Sequence, residues 1–70
     1  MNMHPVTSSQ LHSIGYDPET KTLAIKFKTG GVYHYADVPE SEHKAMMAAP
    51  SHGKHFYANI KGKFKFTKQS

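Results

Sequence analysis

The 70-residue chain contains no cysteine, no arginine and no long apolar run. Without cysteine, neither a disulfide framework nor a thiolate metal site can form, and this composition fits a reducing compartment. No segment approaches the roughly 18 apolar residues that cross a bilayer. The first residues also lack the basic stretch and apolar run of a signal peptide. We therefore expect a cytoplasmic protein that does not associate with a membrane.

Lysine supplies all of the positive charge, and more than half of it lies near the C-terminal end. Nine lysines and five acidic residues give a formal net charge of +4. Residues 51–70 hold five lysines and no acid, whereas residues 1–50 hold four lysines and all five acids. Such an end attracts polyanions through counterion release, although a solvated tail is the alternative interpretation. Without the bidentate fork of arginine, sequence-specific DNA recognition is not expected.

Nothing in the sequence indicates a catalytic site. A single domain of this length buries only about 60% of the surface of its unfolded chain, which leaves little room for a deep, dry pocket. None of the serines lies in a nucleophile elbow, and capping accounts for the acids in turns and at a helix start. Gly30-Gly31 fits a hairpin better than a phosphate loop. We therefore predict no catalytic residues, no cofactor and no enzymatic activity.

The hydrophobic pattern predicts three strands in the first half of the chain. Residues 8–16 form the first candidate, with Gly15 as a bulge or bend, and the Asp-Pro-Glu-Thr segment after it forms a turn. Residues 22–28 alternate between apolar and polar positions, as a half-buried strand does. Residues 29–31 form a hairpin loop, and residues 32–38 form the partner strand.

Helix signals follow the strands. Asp37 and Glu40 have the spacing of a capping box around Pro39, and the helix formers of residues 40–49 stop before Pro50.

A second helix begins with Ser51 as its cap and carries Phe56, Ile60 and Phe64 at four-residue spacing, with Gly62 weakening its end.

This order of elements predicts an α+β domain, in which a three-stranded antiparallel meander is followed by two helices packed on one face. The single domain spans residues 8–66, with a flexible N-terminal arm at residues 1–7 and a flexible basic tail at residues 67–70. The alternation Lys63-Phe64-Lys65-Phe66 leaves a short C-terminal strand as the alternative for the end of the domain. The predicted core consists of Leu23, Ile25, Phe27, Tyr33, Tyr35, Met46, Phe56 and Ile60.

Two tyrosines, Tyr33 and Tyr35, share one face of the third strand, and the hairpin register decides which face it is. A three-residue loop at residues 29–31 pairs Phe27 with Tyr33 and places both rings in the core. A two-residue loop places them beside Lys26 and Lys28 and exposes aromatic rings interleaved with ammonium groups, an arrangement suited to single-stranded nucleic acid. We favour the core arrangement because a core with so few aliphatic residues needs these rings.

The order of several motifs along nearly the whole chain resembles the KTSC domain family. The residues that carry the resemblance are Ser8-Ser9, Ile14-Gly15-Tyr16-Asp17, Phe27, Gly30, Tyr33-His34-Tyr35, Val38-Pro39, Ser51, Gly53, Phe56, Ile60 and Phe64. The resemblance assigns Tyr16, Tyr33, Tyr35, Pro39, Gly53, Phe56 and Ile60 to the family motif, where a structural role is expected.

The family occurs at the C-terminus of some lysyl-tRNA synthetases and as short bacterial and phage proteins. The resemblance implies no established activity, and RNA binding is the function that the synthetase context suggests. The sequence departs from the family pattern at His43 and His55, where an aromatic residue, usually tyrosine, is common, and at Tyr57, where asparagine is common. The chemistry of any shared surface can differ here accordingly.

Six histidines are many for a chain of this length. His52 and His55 are three residues apart, which suits a metal on one helical face, but no carboxylate stands near them in sequence and a zinc site needs three or four ligands. We therefore predict no metal site.

Two functions remain. The first is an accessory module that binds RNA or another polyanion without catalysis. Its phosphate contacts would come from lysines on the sheet and in the C-terminal third, and its stacking rings from that third: Lys26, Lys28, Lys54, Lys61, Lys63, Lys65, Lys68, His55 and Tyr57. The second is a protein-interaction or adaptor domain, for which the family resemblance suggests a phage origin and in which the lysines only confer solubility. In either case we expect a monomer or a weak dimer.

Overall fold

The computed structural model describes residues 2–69 and contains one five-stranded antiparallel sheet in the order β1-β2-β3-β4-β5. The strands are β1 (Met3–Pro5), β2 (Leu11–Asp17), β3 (Thr22–Phe27), β4 (Val32–Tyr35) and β5 (Phe66–Lys68). Helices α1 (Glu40–Ala48) and α2 (His52–His55) lie between β4 and β5, and α2 continues directly into a π-helical turn, Phe56–Ile60. The α+β prediction is confirmed, with four strands before the helices rather than three and one after them.

The β3–β4 hairpin has the predicted facing but a shifted register. Ile25 pairs with Tyr33 and Leu23 with Tyr35, two residues from the predicted pairs. The three-residue loop comprises residues 28–30, because the amide of Phe27 donates to Gly31 and the Phe27 carbonyl accepts from Gly30. A shift of two residues leaves every side chain on its predicted face. Both tyrosines therefore lie on the face covered by the helices.

The irregularity in β2 lies at His12 rather than at Gly15. The pairing with β3 shifts between Leu11 and Ser13, which leaves His12 as the extra residue. Gly15 is buried and regularly paired with Ala24. The bulge keeps both Leu11 and Ile14 in the core, although their spacing of three does not fit a regular strand.

Both ends of the chain contribute edge strands where flexible segments were predicted. Residues 3–5 pair with residues 13–15 of β2, so only part of the predicted arm is unpaired. Phe66 and Thr67 pair with Tyr35 and His34, which confirms the alternative of a C-terminal strand; residues 67 and 68, predicted as part of the tail, belong to that strand. Met1 and Ser70, the ends of those two predicted segments, lie outside the described residues. Pro5 is compatible with β1 because an edge strand leaves one side free of ladder hydrogen bonds.

Helix α1 begins one residue after its cap, Pro39, and the predicted capping box is absent. No side chain caps α1. Asp37 has a positive φ of 57° and lies in the turn that leads from β4 into the helix. The carbonyl of Pro39 accepts from the amides of Glu42 and His43 instead. The backbone path of the turn therefore sets the start of this helix.

The second helical segment begins as predicted and ends earlier. The Ser51 hydroxyl accepts from the amide of Lys54. The amide of Lys61 donates to the Phe56 carbonyl at 2.9 Å, which is the i to i+5 bond of the π-helical turn. The segment ends at Ile60, before Gly62 with its φ of +81°. Phe64 lies beyond the helix and packs against the core from the connection to β5.

The core lies between the sheet and the helices. Phe27 and Tyr33 of the predicted core pack at its margin and the other six predicted residues are buried in it, together with Leu11, Ile14 and Val38, which were not predicted. Within residues 2–69, no helix has the length and apolarity to cross a membrane.

Candidate functional site

A groove opens between the second helical segment and the β4–β5 end of the sheet. Its volume is about 420 Å³. One wall comes from the π-helical turn and the residue after it, and the other from the edge strand β5. We call it the aromatic groove, and its lining consists of Phe27, Thr29, Gly31, Tyr33, Tyr35, Phe56, Tyr57, Lys61, Phe66 and Lys68.

The rings that line the aromatic groove contact one another. Phe66 lies 5.4 Å from Tyr33 and 5.6 Å from Tyr35 between ring centroids. Phe56 makes an edge contact with Tyr35 at 5.5 Å and another with Tyr57 at 5.2 Å. Such contacts fix the rings in place. The groove therefore offers flat apolar surfaces that are already ordered.

Two of these rings are open to solvent. The exposed fraction of Tyr57 is 43% and that of Phe66 is 58%. Phe66 pairs with Tyr35 in the sheet and therefore lies on the helix side, yet its ring remains exposed. The alternative of a C-terminal strand would have placed Phe66 in the core, and the structure does not place it there. Its ring lies at the open side of the groove, where an incoming planar group can reach it.

One lysine stands on each wall of the groove. The Nζ atom of Lys61 lies 5.0 Å from the ring centroid of Tyr57, a cation–π contact. Lys68 pairs with Tyr33 in the sheet and so shares its face. Of the residues that the structure describes, neither lysine forms an ion pair; the ion pair found there joins His55 to Glu42. Both ammonium groups can therefore meet an external anion.

Burial raises the pKa of the Tyr35 phenol, and the neighbouring Tyr33 and Tyr57 add to the shift. At neutral pH the hydroxyl of Tyr35 therefore stays protonated. It remains a hydrogen-bond donor at the floor of the aromatic groove.

The other predicted phosphate ligands are spread over the molecule. Lys26 lies on the sheet face opposite the tyrosines, and Lys28 stands in the hairpin loop. Lys54 is exposed on α2. Lys63 and Lys65 line a separate shallow depression on the connection to β5. The structure thus places two of the seven predicted lysines, together with the predicted ring of Tyr57, in the aromatic groove.

His55, the other predicted stacking residue, does not line the aromatic groove. Its Nε2 atom lies 2.8 Å from Oε1 of Glu42, so the contact joins α2 to α1. Its Nδ1 atom lies 3.4 Å from the side-chain amide of Asn59. Both ring nitrogens therefore have partners within the domain, and the contact with Glu42 links the two helices. Within residues 2–69 no cluster of three metal-ligating side chains occurs.

Three of the motif residues outside the groove hold the fold together. The Tyr16 hydroxyl donates to the carbonyl of Val38, and its ring stacks on His43 at 4.7 Å. This pair joins β2 to the start of α1. Pro39 caps that helix, and Ile60 is fully buried.

Sequence reasoning named Lys68 but missed Phe66 and the groove wall that β5 forms. Phe66 and Lys68 meet Phe56 and Tyr57 only through the pairing of β4 with β5. The alternation of lysine and phenylalanine at residues 63–66 was the available signal, and it did not show where the strand would pair.

The fold and this groove define a small α+β domain with an ordered aromatic surface, and residues 7–64 match the KTSC domain family. The structure is similar to the crystal structure of a KTSC domain protein from Yersinia pestis, with a TM-score of 0.94 and 44% identity over 99% of this chain and 97% of that one. The chain belongs to the KTSC domain family.

Two further relatives show different lengths. A lysine–tRNA ligase from Nostoc punctiforme is 45% identical over 62 residues, which are 89% of this chain but 11% of the ligase. An uncharacterized protein from Stutzerimonas stutzeri is 45% identical over 49 residues, which are 70% of this chain and 69% of that protein. In the part of the chain that the structure describes, no catalytic domain is evident.

Proposed function

We propose that this chain is a non-catalytic module that binds single-stranded RNA. An unpaired base enters the aromatic groove and stacks on its exposed rings, while Lys61 and Lys68 contact the adjoining phosphates. The observation that carries the proposal is the combination of ordered rings and a lysine on each wall of one groove. Stacking on aromatic rings beside cationic side chains is the usual means of binding single strands without reading their sequence.

The charge of the groove favours RNA over an apolar partner. Its lining contains two lysines and no acidic residue. An apolar protein surface would have to bury these ammonium groups without a partner, which costs free energy. A nucleotide supplies both the planar ring and the anion. The match to lysine–tRNA ligases, whose name places tRNA among the molecules they act on, supports the same choice.

A protein-interaction module is the second candidate function. The exposed rings of Tyr57 and Phe66 would also suit an apolar partner. This candidate predicts that the chain does not bind RNA and that capture of its partner survives nuclease treatment.

The charge test uses a fluorescently labelled, unstructured 12-nucleotide RNA and measures anisotropy at low and moderate salt. We expect Lys61→Gln/Lys68→Gln to weaken binding about tenfold, because each lost phosphate contact is worth up to about 1 kcal/mol at an exposed site. The matched control, Lys26→Gln/Lys44→Gln, removes the same charge from the opposite sheet face and from α1. It should bind within about twofold of the unaltered chain.

A second variant tests stacking. Phe66→Ala should weaken binding at least fivefold, since stacking of one base contributes about 1–3 kcal/mol. Met3→Ala removes an exposed apolar side chain from β1 and serves as its control. Absence of RNA binding at low salt, or equal losses in the groove variants and their controls, would contradict the proposed function.

A further inference from the structure

A second depression adjoins the aromatic groove at Tyr57. It lies between one side of the helical segment and the residues that precede β2, and it shares Tyr57 with the groove. We call it the Gly53 depression. Its other lining residues are Ser9, Gln10, Ser51, Gly53, Lys54 and Ala58.

Gly53 is the unexpected residue in this depression. It is buried on a helix, and its φ does not lie in the left-handed region that favours glycine. A Cβ atom added there would lie 3.5 Å from Oγ of Ser8 and 3.7 Å from Oε1 of Gln10, which are ordinary contacts. Alanine would also favour the helix by about 1 kcal/mol. Neither backbone conformation nor close packing therefore requires glycine at this position.

A side chain at residue 53 would partly fill the depression. Its Cβ atom would point toward Ser8 and Gln10, in the space between the helix and the segment before β2. Glycine thus keeps open a part of the depression that alanine would occupy. A cost in stability with no structural return is typical of a position that serves binding.

The polar groups around the depression suit a ribose and a phosphate. Lys54 is exposed and, among residues 2–69, forms no ion pair. The Ser51 oxygen accepts from the amide of Lys54, which leaves its hydroxyl proton free to donate to a ligand. Hydroxyl, amide and ammonium groups together are the contacts that a sugar–phosphate backbone uses.

We propose that the Gly53 depression is a second nucleotide subsite, so that consecutive nucleotides of one RNA strand lie on either side of the Tyr57 ring. This inference rests on the proposed function of the aromatic groove and extends it. Lys68, Lys61 and Lys54 then follow one another along the path of the strand, with Tyr57 between the last two. Productive binding requires at least two linked nucleotides, and a mononucleotide occupies the groove alone.

The experiment compares two probes, uridine 5′-monophosphate and a hexauridylate, on the full chain by calorimetric or anisotropy titration. We expect the hexamer to bind at least tenfold more tightly than the monophosphate. Gly53→Ala should weaken binding of the hexamer at least fivefold and leave binding of the monophosphate unchanged. The melting temperature of this variant should equal or exceed that of the unaltered chain. Lys54→Gln should show the same split between the probes, and Lys44→Gln on α1 serves as its control.

The outcomes separate this subsite from the proposed function. One outcome is that Gly53→Ala and Lys54→Gln bind both probes as tightly as the unaltered chain does. That result overturns the second subsite and does not affect the proposed function of the aromatic groove. Equal losses for both probes also overturn it, because the change then acts on the groove. If the unaltered chain binds neither probe, the proposed function fails and the second subsite fails with it.

Discussion

His43 lies half-buried on α1 with its ring stacked on Tyr16, the ring planes 9° apart. Its Nε2 atom is buried and has no hydrogen-bond partner within residues 2–69. Burial lowers the pKa of His43, nearby His4 lowers it further, and Glu40 acts in the opposite direction. At neutral pH the stacked ring is therefore neutral in the folded chain.

The depressed pKa of His43 predicts a loss of stability in mild acid. Below about pH 6.5 the unfolded chain binds this proton more readily than the folded chain, so the free energy of unfolding falls as the pH falls toward the folded-state pKa. Above that window His43 contributes nothing to the pH dependence of the free energy of unfolding. His43→Phe retains a ring against Tyr16 and removes the titration. Urea denaturation at pH 7.5 and pH 5.0 should show a smaller loss for this variant, and an equal loss would contradict the assignment.

At the scale of elements, the β3–β4 hairpin positions both groove tyrosines through a single three-residue loop. The φ of Gly30 is +107°, which a residue with a Cβ atom rarely adopts. Its amide donates to the Phe27 carbonyl and closes the turn. The register of Tyr33 and Tyr35 against β3 thus depends on this glycine.

Gly30→Ala should therefore destabilise the domain by about 1–2 kcal/mol, although an added Cβ would meet no atom within 4 Å. For a domain of this size the melting temperature should fall by roughly 4–8 °C per kcal/mol. Thr29→Ala in the same loop is the control and should change the free energy of unfolding by less than about 0.5 kcal/mol. Thermal denaturation followed by circular dichroism makes the comparison. Equal stability of Gly30→Ala and the unaltered chain would count against the strained turn.

The elements with a long periodic pattern were predictable, and the short ones were not. The alternation of residues 22–28 correctly predicted the sheet face of Leu23 and Ile25. The predicted face of Tyr33 and Tyr35 was also correct, because an error of two residues in register does not change the face. By contrast, β1 and β5 have three residues each. A segment that short has no readable period, and its pairing depends on a partner that the rest of the fold provides.

The candidate site was predictable in composition but not in geometry. Lysine content and the ring of Tyr57 pointed to the C-terminal third, where much of the groove lies. The partner of His55 could not be predicted from the sequence, because Glu42 contacts His55 only when α1 and α2 pack together. The exposure of Phe66 could not be predicted either, because the alternation of residues 63–66 does not show which part of the sheet face the helices cover.

For the molecule as a whole, the lysines divide into a group along the proposed strand path and a group elsewhere. Lys54, Lys61 and Lys68 line the groove and the adjoining depression. Lys26, Lys28, Lys63 and Lys65 do not line either surface. The basic C-terminal end of the sequence is thus only partly gathered on one surface of the fold.

This division predicts the salt dependence of RNA binding. Three phosphate contacts on a single strand correspond to a slope of about −2 when the logarithm of the association constant is plotted against that of the salt concentration. Participation of all seven predicted lysines would give about −5. Anisotropy titrations of an unstructured RNA at four or more potassium chloride concentrations measure the slope. A value near −5 would contradict the path through these three lysines, and a slope near zero would contradict phosphate contact.

Strand β5 forms one wall of the groove, yet each of its three residues is exposed. Ring contacts hold this wall in place, because Phe66 packs on Tyr33 and Tyr35. Loss of this one ring would therefore open the groove without disturbing the hydrophobic interior. A surface of flat rings and ammonium groups fits recognition by shape and charge rather than by base sequence.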